Sequence, residues 1–305
     1  MKYIDIHAHT NFKAFEEDRD AVVRRALDND TWVINIGTQY DTSKKAVEMT
    51  NEYEGVYSTI GLHPIHTGAS YHDHEELGEE GKEFVSRGEI FDKEKYRELA
   101  GQGKVVAIGE CGLDYYHLTA QAGMESDTIE KQKKAFITQI ELANELNLPL
   151  MLHIRNSPLS PLDSSPSQGS RNAYADVADL LEKYSKRIGV KGLPAQAGVS
   201  HFFAGSVEDM KRFIKMGVYV SFAGPITYKP KPEICDYIGV IKETPLDMIL
   251  ADTDSPYVAP VPHRGERNEP INVRDIVAKI AEIKGISEEE TAKAIFSNAQ
   301  KLFGL

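Results

Sequence analysis

Residues 3–9, with the sequence YIDIHAH, form an apolar strand-like run that ends in two histidines. Four later apolar runs end in the same way, on a histidine or a carboxylate: 105–110, 150–153, 199–201 and 248–254. Burial of imidazoles and carboxylates beside core strands costs several kcal/mol unless a partner compensates them. Because one shared metal site would compensate all of them, we expect a metal centre where these strands end.

Apolar runs that alternate with helical stretches extend along the whole chain. The strand-like runs are 3–7, 32–38, 56–62, 105–110, 149–154, 198–203, 218–224 and 247–252. The helical stretches are 18–29, 42–53, 93–100, 128–146, 174–186, 207–216 and a tail over 273–303, where Ser287 and Glu290 have the spacing of a capping box. Eight alternations predict an α/β fold, a single-domain TIM-type (β/α)8 barrel, which carries its chemistry at the carboxyl ends of its strands.

Composition limits the classes of protein to consider. The 305 residues can bury a sizeable core, and Cys111 and Cys235 are too few and too far apart for a disulfide framework. No run approaches the roughly 18 apolar residues of a membrane helix, and the start of the chain does not resemble a signal peptide. We expect a cytoplasmic protein with no membrane contact and no obligate protein partner. Its net charge of −12 means that a polyanionic substrate must be held locally.

Two segments look like insertions into a minimal barrel. Residues 65–92 contain three histidines, and residues 156–172 are rich in Ser and Pro. Both follow predicted strands, so both should lie on the catalytic face. We expect the second segment to act as a mobile lid.

Six residues at the ends of the apolar runs are candidate metal ligands: His7, His9, Glu110, His153, His201 and Asp254. Taken singly, each has an ordinary explanation as a core histidine, a buried salt-bridge partner or a helix cap. Taken together, they exceed what one tetrahedral catalytic ion with an open water position needs. We therefore predict two divalent ions that share Glu110, with Mg, Mn and Zn all compatible with mixed nitrogen and oxygen ligands.

Seven short motifs resemble the TatD family of metal-dependent deoxyribonucleases, which belongs to the amidohydrolase-like barrels. In chain order they are IDIHAH (4–9), GLHP (61–64), IGECGLDY (108–115), LPLMLHIR (148–155), SHFFAG (200–205), TDSPY (253–257) and RGERNEP (264–270). The resemblance implies a barrel, a divalent metal centre on the six residues above, and hydrolysis of phosphodiester bonds in DNA, often from the 3′ end of single strands.

The resemblance also assigns roles. It implies that Asp254 both binds a metal and takes the proton from the attacking water, while Glu110, a predicted catalytic residue, is among the metal ligands. His63 resembles a family residue near the metals, so we predict a substrate or transition-state contact rather than a core histidine. Asp252 stands where the family usually has Glu, and we expect it to orient neighbouring ligands rather than to bind metal.

Substrate contacts are sought in the loops after the strands. Arg155, Lys229, Arg264 and Arg267 lie in such loops and could hold phosphates, although each could equally be a solvated surface residue. Tyr115 and its neighbour Tyr116 could provide a surface for base stacking, with buried packing as the alternative.

Two other functions use the same residues. A metal-dependent deacylase or amidohydrolase would attack a carbonyl, such as an aminoacyl ester. Relatives in this broader fold often bridge their metals with a modified Lys on the fourth strand, where this chain has Glu110, which favours a nuclease. A non-catalytic metal-binding protein would be expected to lack a ligand, and none is missing.

Overall fold

The computed structural model describes residues 2–68, 88–120, 125–157, 172–186, 197–231 and 235–305. Eight parallel strands form one sheet in chain order. They are β1 (Tyr3–Ala8), β2 (Thr31–Ile36), β3 (Val56–Ile60), β4 (Val105–Asp114), β5 (Leu150–Arg155), β6 (Gly198–Ser200), β7 (Val218–Phe222) and β8 (Ile249–Ala251). The eight predicted strands are confirmed, and most of their residues are buried, as expected for strands covered on both faces.

The sheet closes where β8 meets β1. Ala8 forms a parallel bridge with Ser255, and the His9 amide donates to the Ser255 carbonyl over 2.8 Å. The amide of Asp254 donates to the carbonyl of His7 over 2.9 Å. This seam confirms the predicted (β/α)8 barrel and brings the two ends of the strand series together.

Helices cover the outside of the sheet. They are α1 (Arg19–Leu27), α2 (Tyr40–Thr50), α3 (Lys93–Ala100), α4 (Glu125–Leu146), α5 (Ala173–Tyr184), α6 (Val207–Lys215), α7 (Tyr237–Glu243), α8 (Val273–Lys284) and α9 (Glu288–Phe303). No helix in the described ranges is both long enough and apolar enough to cross a bilayer.

The helical tail divides where the sequence predicts a final helix. Gly285 has a left-handed backbone (φ 69°) that ends α8, and the Ser287 hydroxyl then accepts from the Glu290 amide at the start of α9. Helix α7 was not predicted. It has only seven residues and begins at Asp236, whose carboxylate caps the Gly239 amide, so it offers little periodicity to detect.

The two predicted insertions fall mostly outside the described residues. For the first, 65–68 and 88–92 are described, whereas 69–87, with His72 and His74, are not. For the second, 158–171 lie outside the described residues, and so does the predicted lid.

Candidate metal centre

The six predicted metal ligands converge at the carboxyl ends of the strands. His7 is in β1 and His9 follows it, Glu110 is in β4 and His153 in β5, while His201 follows β6 and Asp254 follows β8. All are buried or nearly so, with Glu110 only 3% exposed. Five strands therefore contribute to one cluster, as the barrel topology predicts.

Glu110 lies at the centre of this cluster and has one oxygen on each side. Its Oε2 is 3.3 Å from His7 Nε2 and 3.9 Å from His9 Nε2. Its Oε1 is 2.8 Å from His153 Nδ1 and 2.9 Å from His201 Nε2. Its two oxygens thus face two groups of side chains, a seam group (His7, His9 and Asp254) and a mid-chain group (His63, His153 and His201). The groups are in contact, since the rings of His7 and His201 stack with their centroids 3.7 Å apart.

The seam group is compact. The Nε2 atoms of His7 and His9 are 3.2 Å apart, and Asp254 Oδ1 is 3.7 Å from the first and 3.4 Å from the second. Asp254 has a left-handed backbone (φ 53°), a conformation that Asp tolerates better than most residues. That conformation and the backbone bonds of the seam aim its carboxylate at both imidazoles.

The side chain of Asp5 links β1 to the chain that follows β8. Its buried carboxylate accepts from the Thr253 hydroxyl (2.5 Å), the Thr253 amide (2.9 Å) and the His7 amide (3.2 Å). Of the two residues it holds, His7 belongs to the seam group and Thr253 directly precedes Asp254. Burial, more than any other influence, raises the pKa of Asp5 well above 3.8.

In the mid-chain group, His63 differs from the other imidazoles. Its Nδ1 accepts a hydrogen bond from the Ile65 amide over 3.2 Å, so in the neutral ring the proton is on Nε2. That Nε2 lies 3.4 Å from Glu110 Oε1. His63 therefore presents a donor to the cluster rather than a lone pair, which suits the predicted contact with substrate better than metal binding.

Two glycines allow β4 to carry Glu110 close to β5. A Cβ at Gly109 (φ 148°) would lie 2.3 Å from the Met151 carbonyl oxygen, and a Cβ at Gly112 (φ 144°) would lie 2.1 Å from the His153 carbonyl oxygen. No other residue type could bring the backbone so near. The glycines of the IGECGLDY motif therefore set the distance between Glu110 and His153.

Burial controls the charges of the cluster. It lowers the pKa of His7 to about 3, with His201 adding to the effect, and it lowers the pKa of His63 to about 4. Burial alone would raise the pKa of Glu110, but the surrounding imidazoles outweigh it and hold the pKa well below 4.5. At neutral pH His7 and His63 are thus neutral and Glu110 is ionised, the forms that bind metal. His153 differs, because burial alone would lower its pKa but the carboxylates of Asp114 and Glu110 outweigh burial and raise the pKa to about 9, so without metal this ring is protonated.

The donor set fits a divalent metal. Among the described residues, the ion pairs of Glu110 and Asp254 are all with imidazoles, and the buried Nδ1 atoms of His7 and His201 have no hydrogen-bond partner. Three sets of possible ligand atoms each fall within 4.8 Å: His7, His201 and Asp254; His7, His9 and Glu110; and His63, Glu110 and His153.

Comparison with known proteins decides the family. The model of the "TatD related DNase" family matches residues 4–304. The chain belongs to this TatD family. A relative named an uncharacterized metal-dependent hydrolase in Bacillus subtilis (strain 168) is 34% identical over 98% of each chain. A relative named the 3′-5′ ssDNA/RNA exonuclease TatD in Escherichia coli (strain K12) is 28% identical over 99% of this chain and 98% of its own length.

Solved structures agree with that assignment. The crystal structure of a TatD homologue, YjjV from Escherichia coli K12, superposes with a TM-score of 0.75 at 25% identity, covering 99% of this chain and 98% of its own. The TatD chain described here is therefore a metal-dependent hydrolase with the barrel that its sequence predicts.

The TatD cluster opens into a cavity of about 540 Å³, within the roughly 300–1,000 Å³ of typical ligand sites. Of the four cationic side chains predicted to hold phosphate, Arg155 lines this cavity. Its guanidinium lies 3.8 Å from the ring centroid of Tyr116. Tyr116 is 40% exposed, so the structure provides a stacked Arg–Tyr pair at the rim.

Tyr115 and Arg267 do not fit the predicted substrate roles. Tyr115 is 1% exposed and donates to Asp176 Oδ2 over 2.6 Å, so its ring cannot stack on a base, which corrects that prediction. Arg267 makes a bidentate salt bridge with Asp18, at 2.9 and 2.6 Å, and packs over the ring of Phe15. These contacts give Arg267 a structural role where a phosphate contact was predicted.

The positions of Arg264 and Lys229 do not decide whether they contact a phosphate. The Arg264 guanidinium lies 4.4 Å from the ring centroid of Tyr228, and Lys229 is exposed in the loop after β7. Neither residue is among those that line the cavity. Both remain predictions.

Asp252 lies beneath the mid-chain group. Its Oδ2 accepts from the Phe202 amide over 3.2 Å and from the Ser221 hydroxyl. Because Phe202 follows His201, the carboxylate anchors the backbone that carries this imidazole. Burial raises the pKa of Asp252 to about 6. Its contacts suit the orienting role predicted for it.

Sequence reasoning missed a carboxylate–imidazole pair that lines the cavity. Asp114 is fully buried at the end of β4, and His117, whose side chain is 52% exposed, contacts it over 2.8 Å. A signal was available for the first, since Asp114 lies four residues after Glu110 on one strand and even spacing places side chains on one face.

Proposed function

We propose that this TatD-family hydrolase removes nucleotides from the 3′ ends of single-stranded DNA, using two divalent ions that share Glu110. The observation that carries the proposal is the placement of Glu110, whose two oxygens face separate groups of imidazoles inside a cavity with Arg155 at its rim. The name of the Escherichia coli relative, a 3′-5′ ssDNA/RNA exonuclease, supports the same substrate class.

The ligands divide between the two groups. His7, His9 and Asp254 would hold one ion, His153 and His201 the other, and Glu110 both. When bound, such ions lower the pKa of a water toward about 7 and neutralise charge on the phosphate. Imidazole and carboxylate ligands suit Zn and Mn, and this mixed set does not exclude Mg.

Asp254 is the proposed base. Burial alone would raise its pKa, but the imidazoles of His9 and His7 outweigh this effect and lower it below 3.8, so the group is ionised at neutral pH. Its side chain is 16% exposed, more than that of Glu110 at 4%, and it lines the cavity. The carboxylate is thus placed to accept the proton of the attacking water.

His63 and Arg155 are the proposed phosphate contacts. The Nε2–H of His63 points toward the cluster because the Ile65 amide occupies Nδ1, so His63 can donate to a phosphate oxygen at the reacting centre. Arg155, held against Tyr116 at the rim, would bind a neighbouring phosphate. The exposed ring of Tyr116 would give a base a surface on which to stack.

The test uses single-stranded DNA labelled at either end. Protein stripped of metal and reloaded with Mg, Mn or Zn should shorten the 5′-labelled strand in steps and release the label of the 3′-labelled strand first. RNA and duplex DNA of the same sequence serve as comparison substrates.

Absence of DNA cleavage with every metal would overturn the proposal. Hydrolysis of an aminoacyl ester in the same preparations would then assign a carbonyl substrate instead. Release of label from the 5′ end first would keep the nuclease and reverse its polarity.

A further inference from the structure

We propose that Asp114 is a positioning residue that orients His153 with its Nδ1 lone pair toward the metal centre. The inference rests on the proposed function, since it takes His153 to be a metal ligand. Asp114 belongs to the IGECGLDY motif, but it is not one of the six candidate metal ligands.

Asp114 is fully buried and uses its two oxygens differently. Its Oδ1 accepts from the amides of Tyr116 (2.9 Å) and His117 (3.1 Å), which closes the turn after β4. Its Oδ2 lies 3.1 Å from His153 Nε2 and 2.8 Å from His117 Nδ1. One oxygen thus holds backbone, and the other faces two imidazoles.

His153 is oriented unlike the other predicted histidine ligands. His7, His9 and His201 turn Nε2 toward Glu110. His153 turns Nδ1 toward Glu110, at 2.8 Å, and turns Nε2 the opposite way, to Asp114.

The chemistry of the pair sets the tautomer. An ionised carboxylate can only accept hydrogen bonds, so the His153 nitrogen beside Asp114 must carry a proton. The same holds for Nδ1 beside Glu110 Oε1 while no metal is present, so the ring then carries both protons. A metal held by Glu110 would take the place of the Nδ1 proton, and the Nε2 proton would stay hydrogen-bonded to Asp114, which leaves the lone pair on Nδ1. A carboxylate that fixes a metal-binding histidine in this way also makes the imidazole a stronger donor.

Gln132 holds the backbone of Asp114 through hydrogen bonds that do not involve the Asp114 carboxylate. Its side-chain oxygen accepts from the Asp114 amide over 3.0 Å, and its side-chain nitrogen donates to the Asp114 carbonyl over 3.1 Å. The backbone at the end of β4 is therefore held independently, so the side chain of Asp114 is available to orient His153.

Asp114→Asn separates the two uses of the side chain. The amide oxygen can still accept from the Tyr116 and His117 amides and keep the turn. The amide nitrogen then replaces Oδ2 and donates to His153 Nε2, which forces the proton of the neutral ring onto Nδ1. That proton occupies the position where the metal should bind.

The experiment measures divalent-ion affinity by competition with a chromophoric chelator, using Zn and Mn, in wild type, Asp114→Asn and His117→Ala. We expect Asp114→Asn to weaken binding by about 10–100-fold, as loss of such an orienting partner does in other metal sites. His117→Ala removes the other imidazole beside Oδ2 and should weaken metal binding less than Asp114→Asn does, because the carboxylate can still accept from His153 Nε2.

Two readouts keep the outcomes apart. If wild type binds no divalent ion, the proposed function fails. If wild type binds and Asp114→Asn binds equally well, the positioning role fails. Nitrogen-15 NMR of His153 in zinc-loaded wild type gives a test without mutation: we expect Nε2 protonated and Nδ1 bound to metal. The reverse assignment would overturn the proposal even if the variant did not fold.

Discussion

The two groups of imidazoles around Glu110 are held by different means. The seam group is fixed by backbone: hydrogen bonds between β1 and the chain after β8 place its residues, and Asp5 holds the backbone on both sides. The mid-chain group is fixed by side chains, with Asp114 on His153 and the Ile65 amide on His63. The first should be sensitive to barrel stability and the second to single polar substitutions.

We expect the largest effect from removing the charge of Glu110, which both the seam group and the mid-chain group contact. Glu110→Gln keeps the shape of the side chain but takes the negative charge from between them. If two ions are bound, we expect the substitution to weaken both and to abolish measurable hydrolysis. Elemental analysis after metal loading should give about two ions per chain for wild type, from the excess of ligands over a one-metal site. A firm ratio of one with all six ligands engaged would contradict the two-ion centre.

The next test concerns the seam group. We expect Asp254→Asn to fold, to keep at least one metal and to lose about 10²–10⁴-fold in kcat, the usual contribution of general acid–base catalysis. Asp252→Asn is the matched control, because it alters a carboxylate two residues away that anchors the mid-chain group. It should lose about 10–100-fold. If Asp252→Asn is the more damaged enzyme, the roles assigned to the two carboxylates are reversed.

A third test asks whether the seam depends on Asp5. Asp5→Ala leaves the amides of His7 and Thr253 without their buried acceptor, at about 1–3 kcal/mol for each such group. We expect the free energy of unfolding to fall by about 2–5 kcal/mol. Asp5→Asn retains an acceptor oxygen and should lose less. Denaturant unfolding of both variants measures the difference, and equal losses would mean that the acceptor is not what holds the seam.

The smallest effects separate a rim arginine from a structural one. Arg155→Ala should raise KM for DNA and reduce the slope of log affinity against log salt by about 1, as loss of one phosphate contact does. Arg267→Ala should leave KM unchanged and cost about 0.2–1 kcal/mol of stability, since its partner Asp18 is partly exposed. A higher KM for Arg267→Ala would restore the substrate role predicted from its position in the sequence.

The sequence alone predicted the strands and the convergence of the six candidate ligands, for one physical reason. Continuous apolar runs predict buried parallel strands, and a histidine or carboxylate at the end of such a run has few alternatives to a shared site. The placement of His7 and His153 followed from this. The number of ions does not follow from ligand identity alone.

Other features depend on side-chain partners far apart in the chain. Arg267 lies in a loop after a strand, where a phosphate contact is expected. Its salt bridge is nevertheless with Asp18, 249 residues earlier. Asp114 looked like an ordinary residue of its motif until its distance to His153 was known. Tyr115 and Tyr116 are neighbours of the same type, and packing alone makes one buried and the other exposed.

The long sequence separation of the seam contacts determines when the enzyme becomes active during its synthesis. Asp5 and Thr253 are separated by 248 positions, so the contact between them forms only after nearly the whole chain has been synthesised. Contacts of such long sequence separation form late because the loop-closure entropy must be overcome first. A growing chain could hold the mid-chain histidines before release, but His9 would still lack Asp254. Hydrolytic activity would therefore begin only with the completed barrel.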